Sequence, residues 1–205
     1  MDRVIVVDNG SVDDTAMRAR QAGATVVPEH KKGYGSACIA GIRESGDTDI
    51  LAFIDGDYSD YPEDLWTILE PLANDHCDLA IGCRREDPDA PPALPRHQKW
   101  GNRLACRMIH LIHGFRYEDL GPMRCISRDT LEKLQMQDSD FGWTVEMQIK
   151  ASRAGARILQ VPVRYRLRIG ESKISGTFVG TVMAAYKIAY WTVRLAFTPK
   201  SLSLR

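Results

Sequence analysis

The 205-residue sequence predicts one α/β domain in which a mostly parallel sheet is flanked by helices. Three observations predict this class: the length suits a single domain, short apolar runs alternate with helical segments, and several runs end in acidic or glycine-bearing turns. Lys and Arg together number 27, as do Asp and Glu, so the basic excess typical of nucleic-acid-binding proteins is missing. We therefore expect no nucleic-acid partner.

The first half of the chain contains four predicted strands, at residues 4–7, 25–27, 50–54 and 79–81. Helices are expected between them, since Asp13 and Asp14 suit the first turn of one helix and Pro62 the start of another. Strands that alternate with helices usually run parallel, and ligands then bind outside their carboxyl ends. The sequence thus predicts that residues following these strands share one site.

The second half predicts a helix at residues 97–113, a strand at 123–127, a helix at 143–154 and a strand at 157–165. Pro162 cannot donate to a sheet ladder, so the last strand is expected at a sheet edge. A long, mostly apolar helix is predicted at residues 177–197. We divide the chain into an α/β domain, residues 1–176, and a C-terminal amphipathic helix with its tail, residues 177–205.

Asp55 and Asp57, separated by one glycine, follow the third predicted strand. Two carboxylates in a tight turn can converge on Mg²⁺ or Mn²⁺, with diphosphate oxygens completing the coordination. A solvated acidic turn is the alternative for an isolated Asp-x-Asp. Because Asp8 ends another strand, we favour a metal site at Asp55 and Asp57.

Asp8 and Asn9 can present acceptors to a base or ribose, or they can form a plain Asx-turn. Gly33 and Gly35 lie in a loop that could bring backbone N–H groups to a nucleotide, with the following helix N-terminus favouring anions. We assign these residues to donor binding, together with Asp55 and the strand-end residue Arg84.

Several cations are candidate phosphate ligands, because the guanidinium group offers a bidentate fork. Arg168 and Lys173 lie in a glycine-bearing loop, and we include Ser172 of the same loop and Arg96 in the phosphate-binding set. At helical spacing Arg96 also begins a basic stripe, which can equally be a solvated helix face: Arg96, Lys99, Arg103 and Arg107.

These segments resemble family-2 glycosyltransferases of the Rossmann-like GT-A fold. The first-half motifs are VVDNGSVDDT (6–15), KGYGSA (32–37), FIDGD (53–57), YPEDL (61–65) and IGCR (81–84). In the second half DLGPMR (119–124), FGWTVE (141–146) and the loop at 168–176 resemble the branch of dolichyl-phosphate mannose synthase and other polyprenyl-phosphate glycosyltransferases.

The resemblance implies inverting transfer from a UDP- or GDP-sugar donor to a polyprenyl phosphate or related acceptor. It places Asp8 at the nucleoside, Asp55 and Asp57 at the metal, and Asp119 and Glu146 on the acceptor side. We assign Asp57, Asp119 and Glu146 as catalytic. A lipid phosphate is already ionised near neutral pH, whereas a hydroxyl acceptor would need Asp119 or Glu146 to take its proton.

The sequence also departs from the family pattern. Relatives begin with one more strand and helix, and the strand at residues 4–7 corresponds to their second. We therefore expect an N-terminally truncated domain with a gap inside the sheet. This departure supports the alternative hypothesis of a non-catalytic nucleotide-sugar-binding remnant of the same fold.

The five cysteines form no Cys-x-x-Cys pair and favour a reducing, cytoplasmic compartment. Lys187 and Arg194 disfavour a membrane span for the C-terminal helix, whereas Tyr186, Tyr190 and Trp191 favour the membrane interface. We expect the helix to lie on the inner membrane surface, near a lipid-phosphate acceptor. Packing of the helix on its own domain or in a homo-oligomer is the alternative.

Overall fold

The computed structural model describes residues 3–86, 93–169 and 178–198. Its strands are β1 (Ile5–Asp8), β2 (Thr25–Pro28), β3 (Ile50–Phe53), β4 (Leu79–Glu86), β5 (Arg124–Ser127) and β6 (Ile158–Tyr165). Its helices are α1 (Thr15–Gln21), α2 (Tyr34–Glu44), α3 (Leu65–Ala73), α4 (Arg96–His113), α5 (Arg128–Leu134), α6 (Trp143–Ala154) and α7 (Phe178–Phe197). The predicted α/β class and its flanking helices are confirmed.

The larger sheet has the strand order β3-β5-β4-β6. β4 and β6 pair in parallel, from Leu79 opposite Ile158 to Glu86 opposite Tyr165. β5 lies between β3 and β4 and is antiparallel to both, so β3, β4 and β6 run in one direction and β5 is the reversed strand of this mostly parallel sheet. β6 lies at the edge, where Pro162 predicted it.

β1 and β2 form a separate parallel pair. Within the described residues no ladder joins β1 to β3, which matches the expected gap in the sheet. No residue between positions 3 and 34 is buried. The N-terminal β1-α1-β2 unit is therefore packed more thinly than the rest of the domain.

Apolar side chains cover both faces of the larger sheet. Leu79 and Ile81 of β4 join a core with residues of α2, α4, α5, α6 and α7, whereas Ala80 joins a smaller core with Ile68 of α3. This division follows from the alternation of side chains along a strand. α3 thus lies on the opposite face of the sheet from α4 and α7.

The predicted C-terminal helix is present as α7, and its inner face packs on the domain. Trp191, Thr192 and Leu195 are buried, and the His113 Nε2 of α4 lies 2.8 Å from the Thr192 carbonyl oxygen. Among the helices of the described ranges, none combines the length and hydropathy that a membrane crossing requires. Packing on the domain, which the sequence left as an alternative, therefore holds for the inner face.

Candidate functional site

The loop after β3 brings three carboxylates together. The Ser59 amide donates to Asp57 Oδ1 at 3.0 Å, and the Asp55 amide donates to Asp60 Oδ2 at 3.2 Å. Asp60 is 2% exposed, and its Oδ1 has no hydrogen-bond partner within the described part of the chain. The sequence prediction included Asp55 and Asp57 but missed Asp60.

Burial and repulsion between carboxylates disfavour the charged forms of Asp55 and Asp60. Burial, and after it the charges of Asp60 and Asp57, raise the pKa of Asp55 to about 7 against the opposing effect of Arg168 and Arg84. Burial likewise raises the pKa of Asp60 to about 6. The positive charges of Arg168 and Arg84 therefore do not offset the burial and repulsion that raise the pKa of Asp55.

Residues 166–169, which continue from β6 and are called the strap below, are hydrogen-bonded to this acidic loop. The Arg166 amide donates to the Ser59 carbonyl at 3.0 Å, and the Ile169 amide donates to the Asp57 carbonyl at 2.9 Å. Arg168 Nη1 lies 3.1 Å from Asp57 Oδ2. Arg168, although distant in sequence, is thus placed beside the predicted metal motif, and its assignment to acceptor phosphate stays a prediction.

The strap also contacts a residue of the acidic loop whose backbone is strained. Tyr58 has a φ of 72°, which is uncommon for an aromatic residue. The Arg166 guanidinium lies 3.3 Å from the centroid of the Tyr58 ring and 4.2 Å from that of Tyr61. Its Nε also donates to the Tyr58 carbonyl at 2.6 Å. Backbone strain of this kind persists where surrounding contacts impose it, and it is frequent at functional sites.

Arg84 and Asp119 form a bidentate ion pair beside the cluster. Arg84 Nε lies 2.8 Å from Asp119 Oδ2, and Nη2 lies 2.8 Å from Oδ1. The Asp119 side chain is only 6% exposed and also accepts the Arg84 and Leu120 amides. Both oxygens of Asp119 are thus engaged, which is a poor state for a general base.

Glu146 is held by neighbouring protein groups, and its assignment as catalytic stays a prediction. It is fully buried on α6 and accepts the amides of Gln137 and Asp138, the latter at 2.7 Å. Lys150 Nζ lies 2.7 Å from its Oε1. Glu146 therefore holds the loop before α6 in place.

The residues assigned to the nucleoside form a second group, at the ends of β1 and β2. Asp8 Oδ1 accepts the Ser11 amide at 2.8 Å, which is the Asx-turn that the sequence allowed. The Asn9 side chain accepts the Gly33 amide at 2.9 Å and donates to the carbonyls of Glu29 and Lys31. Asn9 therefore shapes the glycine loop from within.

The glycines of this loop serve a close approach between two backbones. A Cβ atom at Gly33 would overlap the Ser139 carbonyl, and one at Gly35 would overlap that of Asp138. Gly33 also has a φ of 135°, which favours glycine. These glycines were expected to let backbone N–H groups approach a nucleotide. The structure gives a second reason for glycine at both positions, which is the close packing of residues 138–139 against them.

Arg124 is a second residue that the sequence prediction missed. It is 1% exposed, and its guanidinium donates to the carbonyls of Pro122, Gly121 and Thr144. Burial lowers its pKa, while nearby Tyr34 and other groups oppose this. The motif DLGPMR (119–124) ends in this arginine, but no feature of the sequence distinguishes a buried guanidinium from an exposed one.

The remaining predicted ligands lie apart from this cluster or beyond the described ranges. Arg96 is exposed in the first turn of α4. Ser172 and Lys173 lie outside the described residues. Their assignments stay predictions.

The acidic cluster fits a divalent cation in part. The unpartnered Asp60 Oδ1 and the raised pKa of Asp55 show carboxylates that a cation would stabilise. In the ranges that the structure describes, no set of three or more His, Cys, Asp or Glu side chains is arranged to hold an ion. Asp55 and Asp57 would therefore need oxygens from a bound diphosphate to complete a site.

Several known proteins are similar to this chain in sequence. An uncharacterized glycosyltransferase of Mycobacterium tuberculosis is 35% identical over 196 residues, covering 93% of this chain and 85% of the relative. The undecaprenyl-phosphate mannosyltransferase of Micrococcus luteus is 32% identical over 207 aligned residues, covering 92% and 81%. The dolichyl-phosphate hexose transferase of Haloferax volcanii is 30% identical over 172 residues, covering 83% and 73%.

The fold is shared with glucosyl-3-phosphoglycerate synthase from Mycobacterium tuberculosis, solved with Mn²⁺, UDP-glucose and phosphoglyceric acid. The TM-score is 0.73 at 20% identity, over 97% of this chain and 70% of that chain. Residues 2–134 match the profile described as glycosyl transferase family 2. The chain therefore belongs to glycosyltransferase family 2, has the GT-A fold, and counts polyprenyl-phosphate glycosyltransferases among its relatives.

Proposed function

We propose that this glycosyltransferase moves a sugar from a UDP- or GDP-sugar to a polyprenyl phosphate, with inversion at the anomeric carbon. Two relatives, from Micrococcus luteus and Haloferax volcanii, are described as acting on undecaprenyl and dolichyl phosphate. The structural neighbour binds UDP-glucose with Mn²⁺. These descriptions support the donor and acceptor classes proposed for this chain.

The observation that carries the acceptor class is the engagement of both predicted bases. Asp119 is held by the Arg84 fork, and Glu146 is buried among backbone amides and Lys150. Neither is placed to take a proton from an acceptor hydroxyl. A phosphomonoester has a second pKa of about 6 and is already ionised near neutral pH, so it needs no such base.

The proposed reaction balances without a proton transfer. An acceptor phosphate oxygen attacks the anomeric carbon and forms the new C–O bond. The C–O bond to the donor diphosphate breaks on the opposite face of the sugar, and its electron pair leaves with the nucleoside diphosphate. Asp8 and the glycine loop with Gly33 and Gly35 are proposed to receive the nucleotide.

Asp55 and Asp57 are proposed to hold Mg²⁺ or Mn²⁺ together with the diphosphate oxygens. When bound, the cation would neutralise negative charge on the leaving diphosphate. Arg168, which lies beside Asp57, and the loop residues Ser172 and Lys173 are proposed to bind phosphate oxygens. Arg84 is proposed to act near the diphosphate through its place beside Asp119 and the acidic cluster.

The acceptor's lipid tail requires a membrane surface, and the outer faces of α4 and α7 suit one. Trp100 and Leu111 of α4 are 69% and 83% exposed, and Phe197 of α7 is 86% exposed. Large exposed apolar patches mark interaction surfaces. By helical spacing, Arg103 and Arg107 lie close to these exposed apolar side chains of α4, and cations there can attract anionic headgroups.

We therefore propose that two helices, α4 and α7, form the membrane-binding surface. The C-terminal helix was expected to lie on the membrane with added attraction from the basic stripe of α4, and its own cation Lys187 is turned inward to Asp138. The exposed cations beside these apolar side chains are Arg194 of α7 and Arg103 and Arg107 of α4. We propose that α4 and α7 together rest on the cytoplasmic membrane surface.

Sugar transfer tests the proposed activity directly. Incubation with sugar-labelled UDP- or GDP-sugars, Mn²⁺ and a polyprenyl phosphate in detergent should move label into the organic phase. Asp57→Asn should abolish this transfer, whereas the exposed Asp129→Asn serves as the matched control. Label that stays in water although the donor binds would favour the non-catalytic remnant.

Flotation with liposomes tests the membrane surface. The protein should float with anionic vesicles at low salt and be released by high salt. Leu104→Glu with Leu111→Glu should abolish flotation, whereas Trp66→Glu, an exposed aromatic on α3 across the sheet, should not. Flotation that survives the double substitution, or its absence in the unmodified protein, contradicts the proposed surface.

A further inference from the structure

We propose that Asp138 is a positioning residue. Through Asp138, the packing of α7 on the domain determines the position of the glycine loop of the donor site. The inference rests on the proposed function, because it takes residues 31–36 as part of the donor site. Asp138 lies between α5 and α6, in a loop that touches both α7 and the start of α2.

On one side, the Asp138 carboxylate is anchored by α7. Lys187 Nζ lies 2.8 Å from Asp138 Oδ2, and Trp191 Nε1 donates to the same oxygen at 2.6 Å. The Asp138 residue is 3% exposed. Asp138 is the buried partner of this ion pair, so removing Lys187 would leave a buried charge with less compensation.

The other carboxylate oxygen shapes the loop itself. Asp138 Oδ1 accepts the Asp140 amide at 2.7 Å and the Gly142 amide at 3.0 Å. Burial raises the pKa of Asp138, but the bonds from Lys187 and Trp191 outweigh burial and hold that pKa below its usual value. The ionised carboxylate therefore fixes the backbone between residues 138 and 142.

This fixed backbone supports the glycine loop. The Ser139 carbonyl accepts the Ser36 amide at 2.8 Å and the Ser36 hydroxyl at 3.1 Å. Gly33 and Gly35 pack so tightly on the backbone of residues 138–139 that neither position has room for a Cβ atom. A shift of Ser139 must therefore move the first turn of α2.

The contacts therefore run from α7 through Asp138 and Ser139 to the first turn of α2. Helix α7 can thus influence the donor site without touching it. In the proposed membrane arrangement, α7 lies between the lipid surface and this contact chain.

Amide hydrogen exchange tests the link without any substrate. In the full chain, Lys187→Met should speed exchange of the Ser36 amide by at least tenfold, and Asp138→Asn should do the same. Lys187→Arg keeps the charge and should restore slow exchange. Lys133→Met, which removes an exposed lysine paired with Asp129, is the matched control and should change nothing at Ser36.

Faster exchange confined to residues 139–142, with Ser36 unchanged in a folded Lys187→Met protein, would overturn the proposal. Steady-state kinetics supply the second readout: Lys187→Met should raise the KM for the nucleotide sugar and leave the KM for the lipid phosphate unchanged. Faster Ser36 exchange with an unchanged donor KM would sustain the link and contradict the donor assignment of the loop. The two failures are therefore distinguishable.

Discussion

Replacing Asp55 by Asn should stabilise the metal-free protein at alkaline pH. The pKa of Asp55 is raised from 3.8 to about 7 in the folded chain, chiefly by burial and then by Asp60 and Asp57. Each pKa unit corresponds to about 1.4 kcal/mol, so ionising Asp55 costs on the order of 4 kcal/mol more in the folded than in the unfolded chain. Asn keeps the shape and removes that charge.

The sign of the pH dependence follows from proton counting. Below its unfolded pKa of 3.8 the Asp55 carboxyl is protonated in both states. Between about 4 and 7 the folded chain holds the proton and the unfolded chain does not, so the free energy of unfolding falls as pH rises. The stabilisation by Asp55→Asn should therefore be near zero at pH 4 and reach up to about 4 kcal/mol at pH 8.

Urea unfolding of both proteins with chelator present, across this pH range, measures the difference. Titrating groups remote from the cluster cancel when the variant is compared with the unmodified chain, whereas the titration of Asp60 and Asp57, which interact with Asp55, changes with the substitution. The exposed Asp129→Asn is the matched control and should show no such trend. Equal or lower stability of Asp55→Asn at pH 8, or a difference that does not vary with pH, would refute the electrostatic account of the cluster.

Three further predictions concern the donor, the acceptor and the N-terminal unit. Asp57→Asn should abolish Mn²⁺-dependent binding of the nucleotide sugar in calorimetry while leaving the unfolding transition in place; unchanged metal-dependent affinity would remove Asp57 from the metal site. Replacing Arg168 and Lys173 together by Ala should raise the KM for the lipid phosphate more than that for the donor, because both are cations of one late loop, and equal rises would argue against this division. Amides of β1 and β2 should exchange much faster than those of β4 and β5, because residues 3–34 bury no side chain, and equal protection would contradict the thin packing.

Much of the fold was predictable because its elements carry strong local signals. The helix predicted at residues 143–154 has the bounds Trp143–Ala154, and Pro162 marked the edge strand. The order of strands was less predictable, since the apolar pattern of β5 shows neither its neighbours nor its direction. Its place between β3 and β4 arises from long-range pairing that no local pattern records.

The candidate site was predictable where residues follow a strand, as Asp55 and Asp57 do. It was not predictable where a role depends on burial. Asp60 and Glu146 are both acids near family motifs, yet Asp60 lies in the carboxylate cluster and Glu146 is sealed among amides. Sequence alone does not show which acid joins the carboxylate cluster.

The choice of acceptor tests the central claim most directly. Nucleoside diphosphate release by the purified chain should be measured with its best nucleotide sugar and Mn²⁺, adding either a polyprenyl phosphate or the matching polyprenol. Because Asp119 and Glu146 are both engaged, the phosphate should stimulate release and the alcohol should not. Equal or greater stimulation by the polyprenol would show that a base is available and would contradict the account.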